Sequence, residues 1–134
     1  MKSILENWNR FLNEQQDIQM ERDPEEENKI TYRIGKAFIT ILENSPYADG
    51  AHSVYNFYVP DEQRGQGLGK RLAAHVVERY PGEEISAQVS SLASLKVFID
   101  LGFKPFEEPT ADFARAKELF DEDYGSLNLR LNAK

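Results

Sequence analysis

The stretch VPDEQRGQGLGKRL, residues 59–72, decides how the rest of this chain is interpreted. Glycines occupy every second position from 65 to 69, with Arg64 before them and Lys70 and Arg71 after them. An aromatic and β-branched run precedes the stretch and a helical pattern follows it, which predicts a loop between a strand and a helix. There the first helical N–H groups lack partners and the helix macrodipole is positive. Bare glycine backbone would let a phosphate group approach closely.

The spacing excludes two familiar phosphate loops. A Walker A loop needs a glycine where Arg64 stands and a hydroxyl residue where Arg71 stands. A dinucleotide-binding G-x-G-x-x-G loop needs a glycine where Lys70 stands. What remains is R-x-x-G-x-G over residues 64–69, and the ligand it predicts is a pyrophosphate. The alternative is a glycine-rich turn with no ligand.

With Val59 five residues before the arginine, this string resembles the acyl-CoA loop of the GNAT N-acetyltransferase superfamily. A second resemblance lies in SSLASLKVFIDLGFKP, residues 90–105, at the separation that the family shows. The positions that match or replace its signature residues are Gly102 and Phe103 (full matches), Ser94 and Val97 (conservative matches), and Ser91 and Phe98 (in place of Asn and Tyr). The similarity covers about residues 50–105 and a compatible last strand.

The resemblance implies acyl transfer, usually of acetyl, from a CoA thioester to an amine on a small molecule or peptide. Acetyl-CoA would be the co-substrate, no metal would be needed, and the Val59 N–H would polarise the thioester carbonyl. The residues implied in binding CoA are Phe57, Tyr58, Val59, Arg64, Gly65, Gln66, Gly67, Leu68, Gly69, Lys70, Arg71, Ser91, Ser94 and Phe98.

At the positions of the family's usual catalytic residues, this sequence departs from the family pattern more than it does in the glycine loop. The positions where many relatives carry a basic glutamate hold Ser53 and Ser86, and the usual tyrosine that protonates the thiolate is Phe98. Water could instead carry the proton, or the domain could bind acyl-CoA without turnover. The candidates for a base elsewhere in the sequence are Glu43, Asp49, His52 and Tyr55, although His52 fits a strand-edge surface position better.

Acidic residues cluster at Glu107 and Glu108 and at residues 121–123. They form either a solvated acidic surface or the border of a site for a cationic acceptor. Tyr124, next to the second cluster, is a candidate for the hydroxyl that Phe98 lacks.

The order of elements predicts an α/β fold, and the resemblance makes it a GNAT-like, mostly antiparallel mixed sheet flanked by helices. We expect a single domain over 1–134, with an N-terminal helix and acidic linker in 1–28 and a core in 29–134. The N-terminal half is shorter than is typical of the family, whose members open with a strand and two helices. Residues 21–28 favour a solvated linker, and residues 29–43 a hairpin around Gly35 and Lys36.

The N-terminal segment MKSILENWNRFLNE predicts an amphipathic helix over residues 3–17. This helix would pack on the domain or bind a partner or a membrane surface; a protein acting only through such contacts would have no CoA affinity. The segment also resembles leader segments of proteins from large tailed phages.

The net charge and the amino-acid composition argue against some classes of function. The net charge of −7 and pI near 4.9 argue against nucleic acid as a partner. There are no cysteines, and neither a signal peptide nor a membrane-spanning run is visible, so we expect a cytoplasmic monomer or homodimer that does not bind membranes.

Overall fold

The computed structural model of the protein describes residues 18–133. The helix predicted over residues 3–17 and the phage-like leader lie outside the described residues.

Within residues 18–133 the chain forms one sheet of seven strands in the order β1-β2-β3-β4-β5-β7-β6. Only β4 and β5 run parallel; the other neighbouring pairs are antiparallel, so the predicted mixed and mostly antiparallel fold is confirmed. The strands are β1 Gln19–Arg22, β2 Lys29–Ile34, β3 Ala37–Leu42, β4 His52–Tyr58, β5 Ile85–Val89, β6 Lys104–Pro105 and β7 Leu127–Leu131.

The predicted hairpin is formed by β2 and β3, which pair from Lys29 with Leu42 to Ile34 with Ala37. Gly35 makes the turn at φ 59°, in the left-handed region that glycine enters without a steric penalty. Burial alternates along β2, so its isoleucines and Tyr32 face the core while its charged residues face outward.

Three α-helices follow in the described part of the chain: α1 Leu68–Arg79, α2 Leu92–Asp100 and α3 Phe113–Glu122. One face of α1 is buried, and the helix packs across β2 and β3 while also contacting α2. Helix α2 packs on β5 and on α3. The buried residues of α1 are Leu68, Leu72, Ala73 and Val76.

The prediction of a linker over residues 21–28 is wrong for its first two residues. Glu21 and Arg22 belong to β1, where they pair with Thr31 and Ile30 of β2. All four β1 side chains are exposed, because the strand is held at the sheet edge by backbone hydrogen bonds. Charged side chains are typical of edge strands because they prevent unwanted pairing with other chains. For this reason the composition of β1 resembles that of a linker. The sheet therefore begins before residue 29.

The sheet is split at its centre. β4 and β5 pair only as far as Val54 and Ala87, although β4 continues to Tyr58 and β5 to Val89. The pairing of β4 with β3 shifts register at the same level, where Ile41 pairs with Val54 and Thr40 with Asn56. A bulge of this kind bends a strand locally. A gap therefore opens between the carboxyl-terminal ends of β4 and β5.

Burial predicts opposite outcomes for two leucines on neighbouring helices. Leu72 is 0% exposed, so Leu72→Ala leaves a cavity and should cost about 2–5 kcal/mol in the free energy of unfolding. Leu92 is 46% exposed, and Leu92→Ala should change that free energy by less than about 0.5 kcal/mol. Urea denaturation of both variants checks this. Equal losses would contradict the burial of Leu72 in α1.

Candidate functional site

A cavity of about 540 Å³ lies at the open end of the gap between β4 and β5, bounded by residues 57–59, the glycine loop and the start of α2. Of the residues predicted to bind CoA, all but Gln66, Arg71 and Phe98 line this cavity. The predicted residues brought together are Phe57, Tyr58, Val59, Arg64, Gly65, Gly67, Leu68, Gly69, Lys70, Ser91 and Ser94.

The three loop glycines meet two different requirements. Gly65 and Gly67 have φ of 81° and 76°, in the left-handed region, so a side chain there would strain the backbone even though space is open. Gly69 instead lies against β4, where an added Cβ would come within 3.1 Å of Phe57 Cζ and 3.3 Å of Val59 Cγ2. The first two glycines shape the loop, and the third lets α1 pack closely on the end of β4.

The first turn of α1 presents its backbone to the cavity. Gly67 is the N-cap residue and no side chain caps the helix, while Leu68, Gly69 and Lys70 all line the cavity. The first N–H groups of a helix lack intrahelical acceptors, and the macrodipole adds partial positive charge at this end. This end of the cavity is therefore electropositive, with the Lys70 ammonium as a full charge beside it.

The Arg64 side chain contacts the turn between β4 and the glycine loop. Its Nε donates to the Val59 carbonyl oxygen at 3.3 Å, and its Nη1 contacts Asp61 Oδ1 at 2.9 Å. These contacts tie the guanidinium to the turn that connects β4 with the loop, although 67% of the side chain remains exposed.

The beginning of α2 forms the opposite wall. Ser91, which stands where the family signature has Asn, is the N-cap: its Oγ accepts from the Ser94 N–H at 3.1 Å and donates to Ser94 Oγ at 2.9 Å. Sequence reasoning missed several lining residues on this wall and on the loop, although small side chains at helical spacing after Ser91 were an available signal. The missed residues are Gln63, Ser90, Ala93 and Val97.

A smaller cavity of about 150 Å³ lies deeper in the gap, between Tyr55, Asn56 and Phe57 of β4 and Gln88 of β5. Phe98 lines it and is only 2% exposed. Its ring packs edge-on against Phe57 and Phe103, with centroids 5.5 and 5.0 Å apart. Phe98 thus lies at the inner end of the gap and not beside the glycine loop.

A family model of the acetyltransferase (GNAT) domain matches residues 3–114, which is most of the chain. The chain belongs to the GNAT acetyltransferase family. Among solved structures, PH1933 from Pyrococcus horikoshii OT3 shares the fold with a TM-score of 0.53 at 14% sequence identity. The match covers 80% of this chain and 66% of that one, so the present chain spans just under two thirds of that relative. No curated protein matches the chain.

Acid and base groups near the gap matter for acyl transfer, the reaction of the GNAT family. Neither of the two cavities is lined by a carboxylate or an imidazole from residues 18–133. Ser53 and Ser86, at the positions of the usual glutamates, are direct neighbours on β4 and β5, and Ser86 Oγ donates to Asn128 Oδ1 at 3.3 Å. Tyr55 lines the smaller cavity, but Lys29 Nζ lies 4.7 Å from its ring centroid on the β2 side.

His52 lies at the opposite end of β4 from the gap. The expectation that it is a surface residue is wrong, because it is 5% exposed and its ring packs 4.3 Å from that of Tyr80. Its Nδ1 accepts from the Asn44 N–H at 3.3 Å, and its Nε2 lies 3.2 Å from Glu83 Oε1. At about 3.3 Å per residue along a strand, His52 is about 20 Å from Val59.

Glu43 belongs to the same remote network. Its Oε2 accepts from the Tyr80 hydroxyl at 2.9 Å, and its Oε1 lies 3.5 Å from Arg22 Nη1. Burial, followed by hydrogen bonds with Tyr32 and Glu43, raises the pKa of Tyr80 above its ordinary value. The structure therefore brings Glu43 and His52 together with each other and not with the glycine loop; Asp49 lies in the adjoining 45–51 loop.

Tyr124 is at the same end of the sheet as the gap, since β7 begins at Leu127, which pairs with Val89. It is 99% exposed and has φ of 56°, just after α3. The acidic clusters beside it are partly neutralised, because one guanidinium contacts carboxylates from both clusters and from α3. Arg115 contacts Glu108 at 2.8 Å, Glu118 at 3.1 Å and Glu122 at 3.5 Å.

No helix within residues 18–133 is long and apolar enough to span a membrane. The same residues contain no group of three or more His, Asp or Glu side chains that could hold a metal ion.

The position of His52 predicts a structural effect when it is replaced. His52→Ala removes the acceptor of the Asn44 N–H and a partner of Glu83, so it should cost about 1–3 kcal/mol in the free energy of unfolding. CoA affinity should not change. Urea denaturation and calorimetry measure the two quantities, and Tyr124→Phe serves as the exposed control with unchanged stability. A lower CoA affinity at unchanged stability would instead place His52 in the binding site.

Proposed function

We propose that this protein is an acyl-CoA-dependent N-acyltransferase that transfers acetyl from acetyl-CoA to a primary amine. The observation that carries the proposal is the cavity between the parted strands β4 and β5, which ends at an uncapped helix N-terminus and a glycine loop. A thioester of CoA joins an anionic pyrophosphate to a narrow, amide-bearing arm, and the two ends of this cavity suit those two parts.

In this proposal the pyrophosphate lies against the loop backbone. Gly65 and Gly67 keep side chains away from it, the N–H groups at the start of α1 donate to it, and Lys70 adds a charge. A protein with a net charge of −7 would otherwise repel this ligand, so local donors must outweigh the overall field.

The pantetheine arm would then follow the exposed edge of β4. The Phe57 N–H donates to its neighbour Asn56 Oδ1 at 3.0 Å and not to Ile39, its partner position on β3, which supports an N–H directed into the gap. N–H groups two residues apart on a strand point the same way, so the Val59 N–H is our candidate for the donor that polarises the thioester carbonyl. The hydrogen bond from Arg64 to the Val59 carbonyl oxygen would hold that peptide in place.

The chemical step requires a neutral amine, because a lysine-type ammonium has no lone pair and a pKa of about 10.4. The amine nitrogen attacks the carbonyl carbon, the C–S bond breaks, and CoA leaves as a thiolate or thiol while the nitrogen loses its proton. Since neither cavity presents a carboxylate or imidazole, we propose that water accepts this proton. The protein's contribution is then orientation and carbonyl polarisation, and orientation alone can supply about 7 kcal/mol or more.

The acceptor would enter from the open end of the gap, near Tyr124 and the carboxylates of Asp121 and Asp123. A cationic amine fits this border, although Arg115 offsets part of the acidic charge. Tyr124 is the alternative source of a proton for the leaving thiolate.

The loop assignment is tested with Gly67→Val. The substitution places a β-branched side chain at a left-handed position where the pyrophosphate would lie, so CoA affinity should fall by at least about tenfold. Gly50→Val is the matched control: Gly50 has φ of 87° with nothing within 4 Å of an added Cβ, and it belongs to the remote loop before β4. Its CoA affinity should stay at the wild-type value by calorimetry. Wild-type affinity in the Gly67 variant would overturn the phosphate assignment.

The leaving group is tested with Phe98→Tyr, which adds a hydroxyl at the inner cavity. If transfer otherwise proceeds, kcat should rise by about tenfold to a hundredfold, since a placed general acid contributes at least that much. In wild type the rate of thiol release should rise with pH as the amine deprotonates, with no falling limb. Phe103→Tyr is the control, because it adds the same hydroxyl to a neighbouring buried ring that does not line the cavity.

Two other outcomes distinguish the alternatives. If Phe98→Tyr changes nothing and Tyr124→Phe abolishes thiol release, the proton comes from the α3–β7 turn. If no variant releases thiol with any amine while all bind CoA, the protein is an acyl-CoA-binding module and the enzyme proposal is wrong.

A further inference from the structure

The sheet has a second face, opposite the helices, that carries exposed tyrosines. Side chains alternate along a strand, so neighbouring positions on β4 point to opposite faces. Phe57 points toward the helices, because its ring lies edge-on to that of Phe98 on α2. Tyr58 therefore points the other way, where its ring centroid lies 5.8 Å from that of Phe38 on β3. Tyr58 is 49% exposed and Tyr55 is 59% exposed.

A lysine lies beside Tyr55 on the same face. Ile30 of β2 is 1% exposed and faces the helices, so its neighbour Lys29 faces the other way. Lys29 Nζ lies 4.7 Å from the centroid of the Tyr55 ring. The nearby carboxylate of Asp23 accepts hydrogen bonds from two backbone N–H groups of its own turn, and no carboxylate of residues 18–133 forms an ion pair with Lys29. The ammonium can therefore contact an anionic ligand.

None of the three helices within residues 18–133 packs on this face. Helix α1 meets the sheet through His75, whose ring packs against Tyr32, and through Gly69, which lies against Phe57. Helix α2 meets the same phenylalanine through Phe98. Exposed aromatic surface beside a charged group is typical of a binding site. We call this surface the open face, and its residues are Lys29, Phe38, Tyr55 and Tyr58.

The inner cavity of about 150 Å³ connects the open face with the gap between β4 and β5. Phe57 and Phe98 line the cavity from the helix side of the sheet, and Tyr55 lines it from the open face. Gln88 of β5, an exposed residue, completes the lining opposite Tyr55. Because side chains from both faces line one cavity, the gap passes through the sheet. A thioester held from the helix side is thus accessible to a molecule that lies on the open face.

We propose that the open face binds the acceptor, and that this acceptor is a small primary amine that also carries an aromatic ring and a carboxylate. The inference rests on the proposed function, because it names the acceptor class of that same reaction. The ring lies on Tyr55 and Tyr58, the carboxylate contacts Lys29, and the amine enters the gap. The nitrogen then forms its bond to the acyl carbon, the C–S bond breaks, and the thiolate and the proton of the nitrogen leave.

The combination of groups on the open face favours this acceptor over others. An aliphatic amine would leave the tyrosine rings uncovered, and a polyamine would place a second positive charge beside Lys29. A carboxylate without a ring reaches Lys29 but gains nothing from the tyrosines. Since Tyr55 both contacts Lys29 and lines the inner cavity, one small molecule can reach the ring, the charge and the gap together.

The first measurement compares four primary amines in a thiol-release assay with acetyl-CoA. The four are L-phenylalanine, with a ring and a carboxylate; phenethylamine, with the ring alone; L-alanine, with the carboxylate alone; and ethylamine, with neither. The kcat/KM is calculated on the neutral amine, which removes the differences in amine pKa. L-Phenylalanine should exceed ethylamine by about tenfold or more. Its advantage over phenethylamine should shrink as the salt concentration rises.

The second measurement tests the charge with Lys29→Gln. The ratio of kcat/KM for L-phenylalanine over phenethylamine should fall by about fivefold, because only the first amine has a carboxylate. A ratio of two acceptors on one variant cancels any general loss of activity. Lys104→Gln is the matched control, since it removes the same charge from the same face at β6, the far edge strand of the sheet. Its ratio should stay at the wild-type value.

The third measurement tests the ring contact with Tyr55→Ala. The ratio of kcat/KM for phenethylamine over ethylamine should fall by about threefold to tenfold, because the aromatic pair is lost. Tyr47→Ala is the matched control: Tyr47 is 93% exposed and belongs to the 45–51 loop, away from the gap. Its ratio should not change.

The failures can be told apart. Equal kcat/KM for the four amines overturns the acceptor assignment and leaves the proposed function intact, because thiol is still released. Ratios that Lys29→Gln and Tyr55→Ala leave unchanged overturn the assignment in the same way. If no amine releases thiol, the proposed function is wrong, and calorimetry with L-phenylalanine on the wild-type protein decides the open face. Binding that Lys29→Gln weakens then retains it as a ligand site, and absence of binding overturns both proposals.

Discussion

The parting of β4 from β5 is the constraint on which the rest of the structure depends. Two parallel strands in the middle of a sheet normally stay paired, because unpaired buried N–H and C=O groups are costly. Here pairing stops at Val54 and Ala87, at the level where a register shift with β3 bends β4. The unpaired edge must therefore find other partners, either water or a ligand with amide groups of its own. Phe57 meets part of this need through the side chain of Asn56, and both cavities open along the same edge.

Charge is arranged locally against the acidic character of the whole chain. Arg64 is held to the turn after β4, and Arg115 contacts three carboxylates near α3, so neither is a simple surface charge. Lys70 lines the cavity at the glycine loop, where the start of α1 adds its dipole. Lys96 and Lys117 line an adjoining groove between α1, α2 and α3. An anionic ligand thus meets an attractive region on a protein that repels anions at long range.

The chemistry that this geometry supports depends on placement more than on acid and base groups. Glu43 and His52, two of the ionisable candidates, are engaged with Tyr80, Asn44 and Glu83 at the far end of β4, where they stabilise the fold. The inner part of the gap is lined by hydroxyl, amide, aromatic and valine side chains. In the proposed reaction such a site orients a thioester and an amine and polarises a carbonyl, and water accepts the proton. The reason is that the side chains lining the two cavities include no carboxylate and no imidazole from residues 18–133.

The sequence by itself determined the features that depend on neighbours along the chain. The β2–β3 hairpin around Gly35, the helix after the glycine loop and the Ser91 cap of α2 follow from local periodicity, turn residues and capping. Features that depend on contacts between distant segments were decided by the tertiary structure. The charged strand β1 becomes part of the sheet only because β2 offers an edge, and His52 is buried because Tyr80 and Glu83 come from beyond α1. Phe113 and Lys117 meet the groove beside the glycine loop for the same reason, since α3 packs on α2 and no spacing in the sequence records that contact.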